Sequence, residues 1–353
     1  MQLEELETPA LVLDINCFRK NMELMSSYLK GSRAKLRPHF KSNKCLEIVR
    51  AQLAAGAKGI TCAKLGEAEV LAQAGVSDIL IANQIVQPSK LARVAELARK
   101  CTITVCTDDA EQVDRLAAAV REAGSTVNVY VELEVGMKRC GISDFEEYYR
   151  LAKKITETPG LVYKGIQAYA GNVSHMPEQA LRIEAVRLVE GRVKDLTEYL
   201  NARGIPVEEI SGGSTATAER KAQDGVYTEL QAGSYIFMDA SYEKCGLDFS
   251  PALSVVTTVI STAGSAVIVD AGVKNFTMDQ LPPEAVGMPC SRVGFSEEHT
   301  AFYGAKIPKK IGDKIVFLPG HCCTTLNTFD FLFVRDGNEI IAKWAIEGRG
   351  KSV

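Results

Sequence analysis

The sequence predicts an α/β fold: a (β/α)8 TIM-type barrel with a second, mostly antiparallel β domain. Between residues 35 and 232, short β-rich runs alternate with amphipathic helical stretches eight times, which is the pattern of a parallel barrel. From about residue 245, strand-like runs follow one another with prolines in the connections and no helical stretches between them, which is typical of an antiparallel sheet. A doubly wound open sheet is the alternative for the first region.

The elements follow in chain order. A first strand is predicted at Ala10–Leu13 and a first helix from Asn16 to Leu29. The eight barrel strands are predicted at Lys35–His39, Gly59–Cys62, Asp78–Ala82, Thr102–Cys106, Val127–Glu132, Leu161–Tyr169, Val207–Ser211 and Thr228–Ala232. The helices between them are predicted at Leu46–Ala55, Glu67–Ala74, Ser89–Arg99, Ala110–Ala123, Glu146–Thr156 and Pro177–Ala202. The later strands are predicted at Ala252–Ser261, Ser265–Asp270, Lys314–Leu318, Phe329–Arg335 and Glu339–Trp344. We therefore expect a barrel domain over residues 16–244 and a discontinuous β domain over residues 1–15 and 245–353.

Charge and cysteine usage narrow the class of protein. The 353 residues include 41 basic and 44 acidic side chains, a net charge of −3, with neither sign gathered into a run. This excludes a nucleic-acid footprint and a polybasic membrane patch. The amino terminus is acidic and lacks the features of a signal peptide, so we expect a cytoplasmic protein. We expect most of the ten cysteines to be small buried hydrophobic residues. Only Cys322 and Cys323 are adjacent in the sequence, and we consider this pair separately.

Lys41 is the first candidate for chemistry. It lies in the run Leu36–Lys44, which reads as a short strand entering a polar turn, with the lysine where the strand should end. A lysine at the rim of an apolar scaffold loses solvation, so its neutral amine becomes available to attack a carbonyl and form a Schiff base. An ordinary surface lysine is the alternative.

A phosphate site is predicted across the barrel mouth from this lysine. The seventh barrel strand runs into Ser211, Gly212, Gly213, Ser214 and Thr215, and the eighth into Gly233–Tyr235, where Ser234 adds a further hydroxyl. Glycines let backbone amides approach an anion, and barrel enzymes commonly bind phosphate in these two loops. A plain tight turn is the alternative. A phosphate site opposite a Schiff-base lysine suits pyridoxal 5′-phosphate, and it also suits a class I sugar-phosphate aldolase.

Polar side chains at two other strand ends are candidates for the same site. Arg139 follows the fifth strand and offers a planar guanidinium to a phenolate or carboxylate, although an ion pair with Glu132 or Glu134 would also explain it. The sixth strand leads to Gln167, Tyr169 and His175. His175 could serve as a catalytic base, or it could be a solvent-facing histidine.

The β domain carries a candidate metal site. In the run Pro319–Thr325, His321 and Cys323 are two residues apart, so on a strand they would share a face while Cys322 points away. Imidazole and thiolate suit zinc, and two protein ligands would leave positions for water or substrate. A buried histidine with inert thiols is the alternative. The cluster Ser296–His299 would be either support for a metal or a solvated turn.

The motifs together resemble those of a known family. They are Arg37-Pro38-His39 with Lys41, Gly-Met-x-Arg-Cys-Gly at 136–141, Gln-Ala-Tyr at 167–169, Ser-Gly-Gly-Ser-Thr at 211–215, Glu-Leu-Gln-Ala-Gly-Ser-Tyr at 229–235, Ser-Glu-Glu-His at 296–299, and Pro-Gly-His-x-Cys at 319–323. In this order, over nearly the whole chain, they resemble the D-threonine aldolase and D-serine dehydratase family. These are fold-type III pyridoxal phosphate enzymes related to alanine racemase.

The resemblance implies roles for individual residues. Lys41 would carry the cofactor as a Schiff base, Arg139 and Gln167 would lie near its ring with Tyr169, and His321 and Cys323 would occupy the metal positions. The phosphate would be held by Gly212, Gly213, Ser214 and Tyr235, within the wider set Ser211–Thr215 and Gly233–Tyr235. The family is usually dimeric, so the resemblance also implies a homodimer.

Two departures from the family pattern, and the choice between two metal motifs within it, bear on the substrate. The chain reads Lys41-Ser42-Asn43-Lys44 where many relatives read Lys-Thr-His-Lys, and its Lys-x-Asn is similar to the alanine racemase branch. Ala170 stands where relatives often have histidine. His-x-Cys is typical of the dehydratases, whereas His-x-Asp is common among the aldolases.

The expected function is a pyridoxal phosphate-dependent lyase acting on D-β-hydroxy-α-amino acids with a divalent metal, zinc or manganese. Retro-aldol cleavage would give glycine and an aldehyde. A D-serine or D-3-hydroxyaspartate dehydratase, giving a 2-oxo acid and ammonia, is the first alternative. An amino-acid racemase and a non-catalytic pyridoxal phosphate carrier are the others.

Overall fold

The computed structural model describes all 353 residues. The strands in chain order are β1 (Ala10–Asp14), β2 (Lys35–Leu36), β3 (Ile60–Cys62), β4 (Asp78–Ile81), β5 (Thr102–Thr107), β6 (Val127–Glu132), β7 (Leu161–Ala168), β8 (Glu209–Gly212), β9 (Glu229–Leu230), β10 (Leu253–Ser261), β11 (Ala266–Val269), β12 (Glu284–Ala285), β13 (Arg292–Phe295), β14 (Thr300–Tyr303), β15 (Lys314–Leu318), β16 (Phe331–Asp336) and β17 (Glu339–Ala345). The α-helices are α1 (Ile15–Leu29), α2 (Leu46–Ala54), α3 (Leu65–Gln73), α4 (Pro88–Leu97), α5 (Ala110–Ala123), α6 (Phe145–Thr156), α7 (Gln179–Asn201), α8 (Ala218–Asp224), α9 (Ala240–Glu243) and α10 (Cys322–Leu326).

The chain folds into two compact units. The barrel unit consists of Met25–Lys41, Ile48–Gly233 and Gly350–Val353. The β unit consists of Met1–Leu24, Ser42–Glu47 and Ser234–Arg349. No helix combines the length and hydrophobicity that crossing a bilayer requires.

The barrel unit contains a parallel sheet of eight strands in the order β2-β9-β8-β7-β6-β5-β4-β3. A parallel bridge between His39 and Thr61 joins the end of β2 to β3 and closes the barrel. Strands of a parallel barrel are covered on both faces, so they read as continuous apolar runs, and Ile79, Leu80 and Ile81 of β4 are all fully buried. The predicted fold class is confirmed, and each of the eight predicted barrel strands overlaps an observed strand.

Helix ends in the barrel unit follow from local sequence. The side chain of Asp109 accepts a hydrogen bond from Glu111 N at the start of α5, and Gly124 ends this helix in a left-handed conformation at φ 61°. Asp144 caps α6 in the same way by accepting from Glu147 N. These caps place the helix boundaries close to where the apolar periodicity predicts them.

A charged network is buried in the barrel near the residues at which β4 and β9 begin. The Arg37 guanidinium donates to Glu229 at 3.0 Å and to both oxygens of Asp78 at 2.8 and 3.0 Å. Lys58 Nζ and the Tyr130 hydroxyl each lie 3.0 Å from a Glu229 oxygen. Arg37 and Glu229 are 2% and 0% exposed, so their charges are paired inside the barrel rather than solvated.

The β unit is built on a mostly antiparallel sheet. Its main path runs β13-β14-β11-β10-β1-β16-β17, with β15 paired to β10 and β12 paired to β15. One pair, β1 with β16, is parallel. The five later strands that the sequence predicts are all present, whereas β12, β13 and β14 were not predicted. The expectation of no helix in this region is wrong, because α10 forms over Cys322–Leu326.

Candidate active site

Lys41 lies on a 3-10 turn, Phe40–Ser42, directly after β2. Its backbone N–H donates to Nδ1 of His39 at 3.3 Å, and its Nζ lies 5.6 Å from the centroid of the Tyr169 ring. The side chain is exposed, so the loss of solvation that we expected at the barrel rim is not found. Lys41 is instead an accessible amine beside an aromatic ring, and a lysine must be accessible to attack a carbonyl.

A cavity of about 190 Å³ opens at the carboxyl ends of the barrel strands, the edge where barrel enzymes bind their substrates. Lys41, Arg139, Gln167 and Tyr169 all line it. The other lining residues also come from strand ends and the loops after them: His39, Ala63, Ala82, Asn83, Gln84, Glu132, Cys140 and Gln231. The barrel therefore gathers four of the predicted site residues around one space.

His39 is a buried member of this cavity wall, only 7% exposed. Burial, together with the nearby charge of Lys41, holds the pKa of His39 well below its ordinary value. The imidazole is therefore neutral, and Nδ1 can accept the hydrogen bond from Lys41 N. We assigned His39 no role from the sequence beyond its place in a motif.

Glu132 is a buried carboxylate beside Arg139. Burial raises its pKa, although a hydrogen bond from Gln84 Nε2 at 2.6 Å and the charge of Arg139 oppose that shift. Glu134 accepts hydrogen bonds from the backbone N–H groups of Gly136 and Lys138 at 2.7 and 2.8 Å. The loop that carries Arg139 is therefore held by Glu134 through backbone contacts, and Arg139 itself lines the cavity.

Gln167 belongs to a buried hydrogen-bonded chain that crosses three strand ends. Gln231 Nε2 donates to Gln167 Oε1 at 2.7 Å and to Ser211 Oγ at 2.8 Å. The chain fixes the side-chain orientation of Gln167, since its oxygen already accepts and its NH2 group remains to donate. Gln231 was not predicted as a site residue, although it stands within one of the family motifs.

The predicted phosphate turn follows β8. An added Cβ at Gly212 would lie 2.2 Å from Ala168 O, and Gly213 has φ +79°, so both positions require glycine. Thr217 Oγ1 accepts a hydrogen bond from Ser214 N at 3.0 Å. The Thr215 hydroxyl is buried without a hydrogen-bond partner. A glycine turn with an unpartnered buried hydroxyl fits a phosphate group.

The remaining predicted phosphate residues follow β9. Gly233 is the last residue of the second barrel-unit segment, and Ser234 begins the third β-unit segment. Tyr235 is fully buried, and its hydroxyl donates to Met22 Sδ at 3.4 Å. Ser234 Oγ lies 3.5 Å from Cys323 Sγ, so the β unit brings a predicted phosphate residue next to a predicted metal ligand.

The predicted metal pair does not lie on a strand, which corrects the sequence interpretation. His321 is the residue before α10, with extended backbone angles, and Cys323 lies in the first turn of this helix. The helix begins here because the Asp239 carboxylate accepts a hydrogen bond from Cys322 N at 2.8 Å. The two side chains nevertheless meet, since His321 and Cys323 form a hydrogen bond.

The chemistry of this pair fits a metal. Hydrogen bonds from Cys322, His321 and Ser234 hold the pKa of Cys323 well below its usual range although burial opposes them. Burial lowers the pKa of His321, but Cys323 and Asp279 raise it to about 9. A ready thiolate beside an imidazole suits zinc. No group of three or more His, Cys, Asp or Glu side chains is arranged to hold a metal by itself, so other ligands would complete the coordination.

Asp279 completes the surroundings of His321. Its Oδ2 lies 2.6 Å from His321 Nδ1, and its Oδ1 accepts a hydrogen bond from the Thr324 hydroxyl at 2.8 Å. With Nδ1 occupied, Nε2 is the ring nitrogen left to bind a metal. No sequence pattern predicts this contact, because 42 positions separate the two residues.

The two other predicted polar features lie outside these clusters. Ser296 N donates to His299 O at 2.8 Å, and Glu297 and Glu298 pair with exposed Lys274 at 3.1 and 3.0 Å. Of the two interpretations of this cluster, metal support and a solvated turn, these contacts favour the solvated turn. His175 is exposed on the loop between β7 and α7 and does not line the cavity, so its role as a base stays a prediction.

Two family models match successive parts of the chain. The family model of the alanine racemase N-terminal domain matches residues 13–241, and that of a serine dehydratase domain matches residues 252–335. A D-threonine aldolase from an Arthrobacter species is 38% identical over 99% of this chain and 94% of its own. A D-threo-3-hydroxyaspartate dehydratase of Delftia sp. strain HT23 is 31% identical over 91% of this chain and 92% of its own.

A solved structure extends the likeness to the whole fold. The crystal structure of D-threonine aldolase from Filomicrobium marinum superposes with a TM-score of 0.96 at 32% identity, covering 100% of this chain and 98% of that one. The family model over residues 13–241 spans more than half of the chain. The resemblance inferred from the motifs is confirmed: the chain belongs to the fold-type III pyridoxal phosphate enzymes, in the branch that joins an alanine racemase N-terminal domain to a serine dehydratase domain.

Proposed function

We propose that the chain is a pyridoxal phosphate-dependent lyase that cleaves D-β-hydroxy-α-amino acids into glycine and an aldehyde. The observation that carries this proposal is the cavity at the barrel mouth, which places the amine of Lys41 beside Arg139, Gln167 and Tyr169. The likeness to D-threonine aldolases over nearly the whole chain supports the choice of reaction.

Lys41 is the residue that would hold the cofactor covalently, and the turn from Ser211 to Thr215 would hold its phosphate. Pyridoxal phosphate supplies an electron sink for the bond that breaks. Arg139 offers its guanidinium fork to a carboxylate or a phenolate at the cavity wall. Gln167, oriented by Gln231, presents its NH2 group as a donor. Tyr169 limits the space next to Lys41.

His321 and Cys323 are the residues that would hold a divalent metal, zinc or manganese. The metal supplies a Lewis acid for the substrate's β-hydroxyl or carboxylate. Asp279 fixes the orientation of the His321 ring through Nδ1. His175 is our proposed base for the proton of the substrate hydroxyl, and it requires the loop after β7 to bring the ring to the cavity.

The thiol of Cys323 favours a second candidate, D-serine or D-3-hydroxyaspartate dehydration, because His-x-Cys is typical of the dehydratase branch. In this reaction Lys41 Nζ removes the Cα proton, the β-hydroxyl leaves, and hydrolysis yields a 2-oxo acid and ammonia. A matched dehydratase relative supports this candidate. The two reactions use the same residues and differ in the bond that breaks.

The deciding experiment identifies the products that purified protein forms from D-threonine and D-serine, before and after treatment with a chelator. Glycine and acetaldehyde, lost on chelation and restored by a divalent metal, are the expected result. A 2-oxo acid with ammonia would instead establish the dehydratase. Turnover that is unaffected by chelation would contradict the metal-assisted mechanism, and interconversion of D- and L-amino acids would establish a racemase.

Replacing Lys41 tests the cofactor attachment. Lys41→Ala is expected to abolish turnover and the absorbance band of the bound cofactor, because no other amine lines the cavity. Lys64→Ala is a matched control, since Lys64 is also an exposed lysine just beyond a barrel strand. An active Lys41→Ala enzyme with unchanged absorbance would contradict the proposed function.

We also propose a homodimer, as the family resemblance implies. The β unit exposes apolar side chains whose burial would favour association, including Val286 and Ile311, which are 64% and 71% exposed. Light scattering after size-exclusion chromatography is expected to give twice the mass of one chain. The mass of one chain at micromolar concentrations would contradict this proposal.

A further inference from the structure

A buried lysine and a buried glutamate lie behind the predicted phosphate turn. Lys221 is on α8 and Glu190 is on α7, and their side chains are 2% and 4% exposed. Lys221 Nζ lies 4.0 Å from Glu190 Oε1, and neither atom has a hydrogen-bond partner. The ammonium lies over the ring of Tyr227, 3.5 Å from its centroid.

These side chains pack directly against the glycines of the turn. A Cβ added to Gly213 would lie 3.1 Å from Lys221 Cδ and 3.8 Å from Lys221 Cε. A Cβ added to Gly212 would lie 2.9 Å from Tyr227 Cε1. The Tyr227 hydroxyl donates to Ala168 O at 3.0 Å, the oxygen that approaches Gly212. Lys221 and Tyr227 therefore form the back wall of the turn.

The buried charge of Lys221 is not explained by a contribution to the stability of the fold. An ammonium buried beside a carboxylate at 4.0 Å loses more solvation than one such pair restores, and apolar residues of equal size are often as stable or more stable. The same helix already carries a conventional ion pair between Arg220 and Asp224. A buried charge with few partners is better explained by a ligand, and the surface next to it is the phosphate turn.

We propose that Lys221 is a positioning residue for the phosphate of the cofactor: its buried ammonium, held by Glu190, places positive charge behind Gly213 and strengthens binding of the phosphate. The inference rests on the proposed function, which places the cofactor phosphate at this turn. It assigns a role to two residues that belong to none of the motifs shared with the family.

The charges around the pair make its effect dependent on pH. Glu190 and Asp224 act on Lys221, Lys194 acts on Glu190, and the Tyr227 ring packs against the ammonium. Burial lowers the pKa of Lys221 to about 7 against the pull of Glu190, and burial raises the pKa of Glu190 to about 7. Whichever residue holds the proton, the pair loses positive charge as pH rises through neutrality. Phosphate binding should therefore weaken over that range.

The test measures binding of pyridoxal phosphate and of pyridoxal, which lacks the phosphate, to the apoprotein between pH 6 and 8.5. The double variant Lys221→Met/Glu190→Gln removes both charges and preserves volume, so it should fold. At pH 6, where both residues are protonated and the pair carries one net positive charge, we expect the variant to bind pyridoxal phosphate roughly tenfold more weakly, the order expected of one unit charge acting over several ångströms near a protein surface. Pyridoxal binding should be unchanged, and the fall in phosphate affinity with pH should be smaller.

Two controls separate this role from packing and from the proposed function. Lys100→Met removes an exposed lysine that follows α4 and should alter neither ligand's affinity. Unchanged pyridoxal phosphate affinity in a folded double variant, or an equal loss for pyridoxal, would overturn the inference while leaving the proposed function intact. Wild-type protein that binds no pyridoxal phosphate would overturn the proposed function and the inference together.

Discussion

Asp279 gives His321 a single orientation. Its carboxylate is held by the Thr324 hydroxyl at 2.8 Å and accepts from His321 Nδ1 at 2.6 Å. A histidine whose Nδ1 is bonded to a carboxylate presents Nε2 in a fixed direction and is a stronger ligand. The orientation of this imidazole is therefore set by a residue outside the His-x-Cys motif.

Asp279→Asn is expected to weaken metal binding about tenfold or more, because the amide holds the imidazole less strongly than the carboxylate. Competition with a chromophoric chelator measures the metal affinity, and thermal unfolding without metal shows whether the fold is retained. Glu298→Gln is the matched control, since Glu298 is an exposed carboxylate that pairs with Lys274. Equal metal affinity in wild type and Asp279→Asn would show that Asp279 does not act on the ligand.

A site residue can be identified from the sequence when its role depends only on its position along one strand. Lys41, Arg139 and Gln167 could be placed at the barrel mouth because each follows or ends a parallel strand. Asp279 and Gln231 could not be assigned, because their partners lie 42 and 64 positions away and no periodicity links them. The exposure of Lys41 was also not predicted, because it depends on the three-dimensional neighbours of the turn.

The barrel strands and α10 show why some elements were predictable and one was not. Parallel strands buried on both faces produce apolar runs that end in polar residues, so all eight could be placed. The run Cys-Cys-Thr-Thr-Leu is rich in small and β-branched residues and reads as a strand. It is helical because Asp239, far along the chain, accepts from Cys322 N.

Gly320 controls how the segment before α10 packs. A Cβ at this position would lie 1.7 Å from Leu281 O, two residues beyond Asp279. Gly320→Ala is therefore expected to force apart the segments that carry Asp279 and His321 and to destabilise the protein by about 3 kcal/mol. Urea unfolding measures the loss, and a free energy of unfolding equal to that of wild type would contradict this reading of the contact.

Replacing Gly191 is expected to have the opposite effect on stability to replacing Gly320. It lies inside α7, where an added Cβ meets nothing within 4 Å. Gly191→Ala should therefore stabilise the protein by about 0.5–1 kcal/mol, because alanine loses less conformational freedom than glycine in a helix. The same urea measurement applies, and destabilisation would show that this face of α7 has contacts that the geometry does not predict.

The buried network around Glu229 links the barrel across its strands. Arg37 follows β2, Asp78 begins β4, Tyr130 lies on β6 and Glu229 begins β9. Burial by itself would raise the pKa of Glu229, but the charges of Arg37 and Lys58 outweigh it, and the pKa is lowered. The barrel is therefore closed at this end by charges whose pairing depends on pH.

The sign of this dependence follows from the lowered pKa. The unfolded chain binds a proton at Glu229 more readily than the folded chain, so the stabilisation is complete above the ordinary glutamate value of about 4.3 and is lost as pH falls towards the lowered value. Glu229→Gln should remove this part of the acid dependence and, by leaving Arg37 with one partner fewer, should destabilise the protein at pH 7 by about 3 kcal/mol. Urea unfolding at pH values from 7 to 3.5 measures both effects.

Glu208→Gln is the control for this prediction. It removes an exposed carboxylate paired with Lys164 and should lower the free energy of unfolding by less than about 1 kcal/mol. An equal cost for the two variants would show that the Glu229 pairing does not stabilise the barrel.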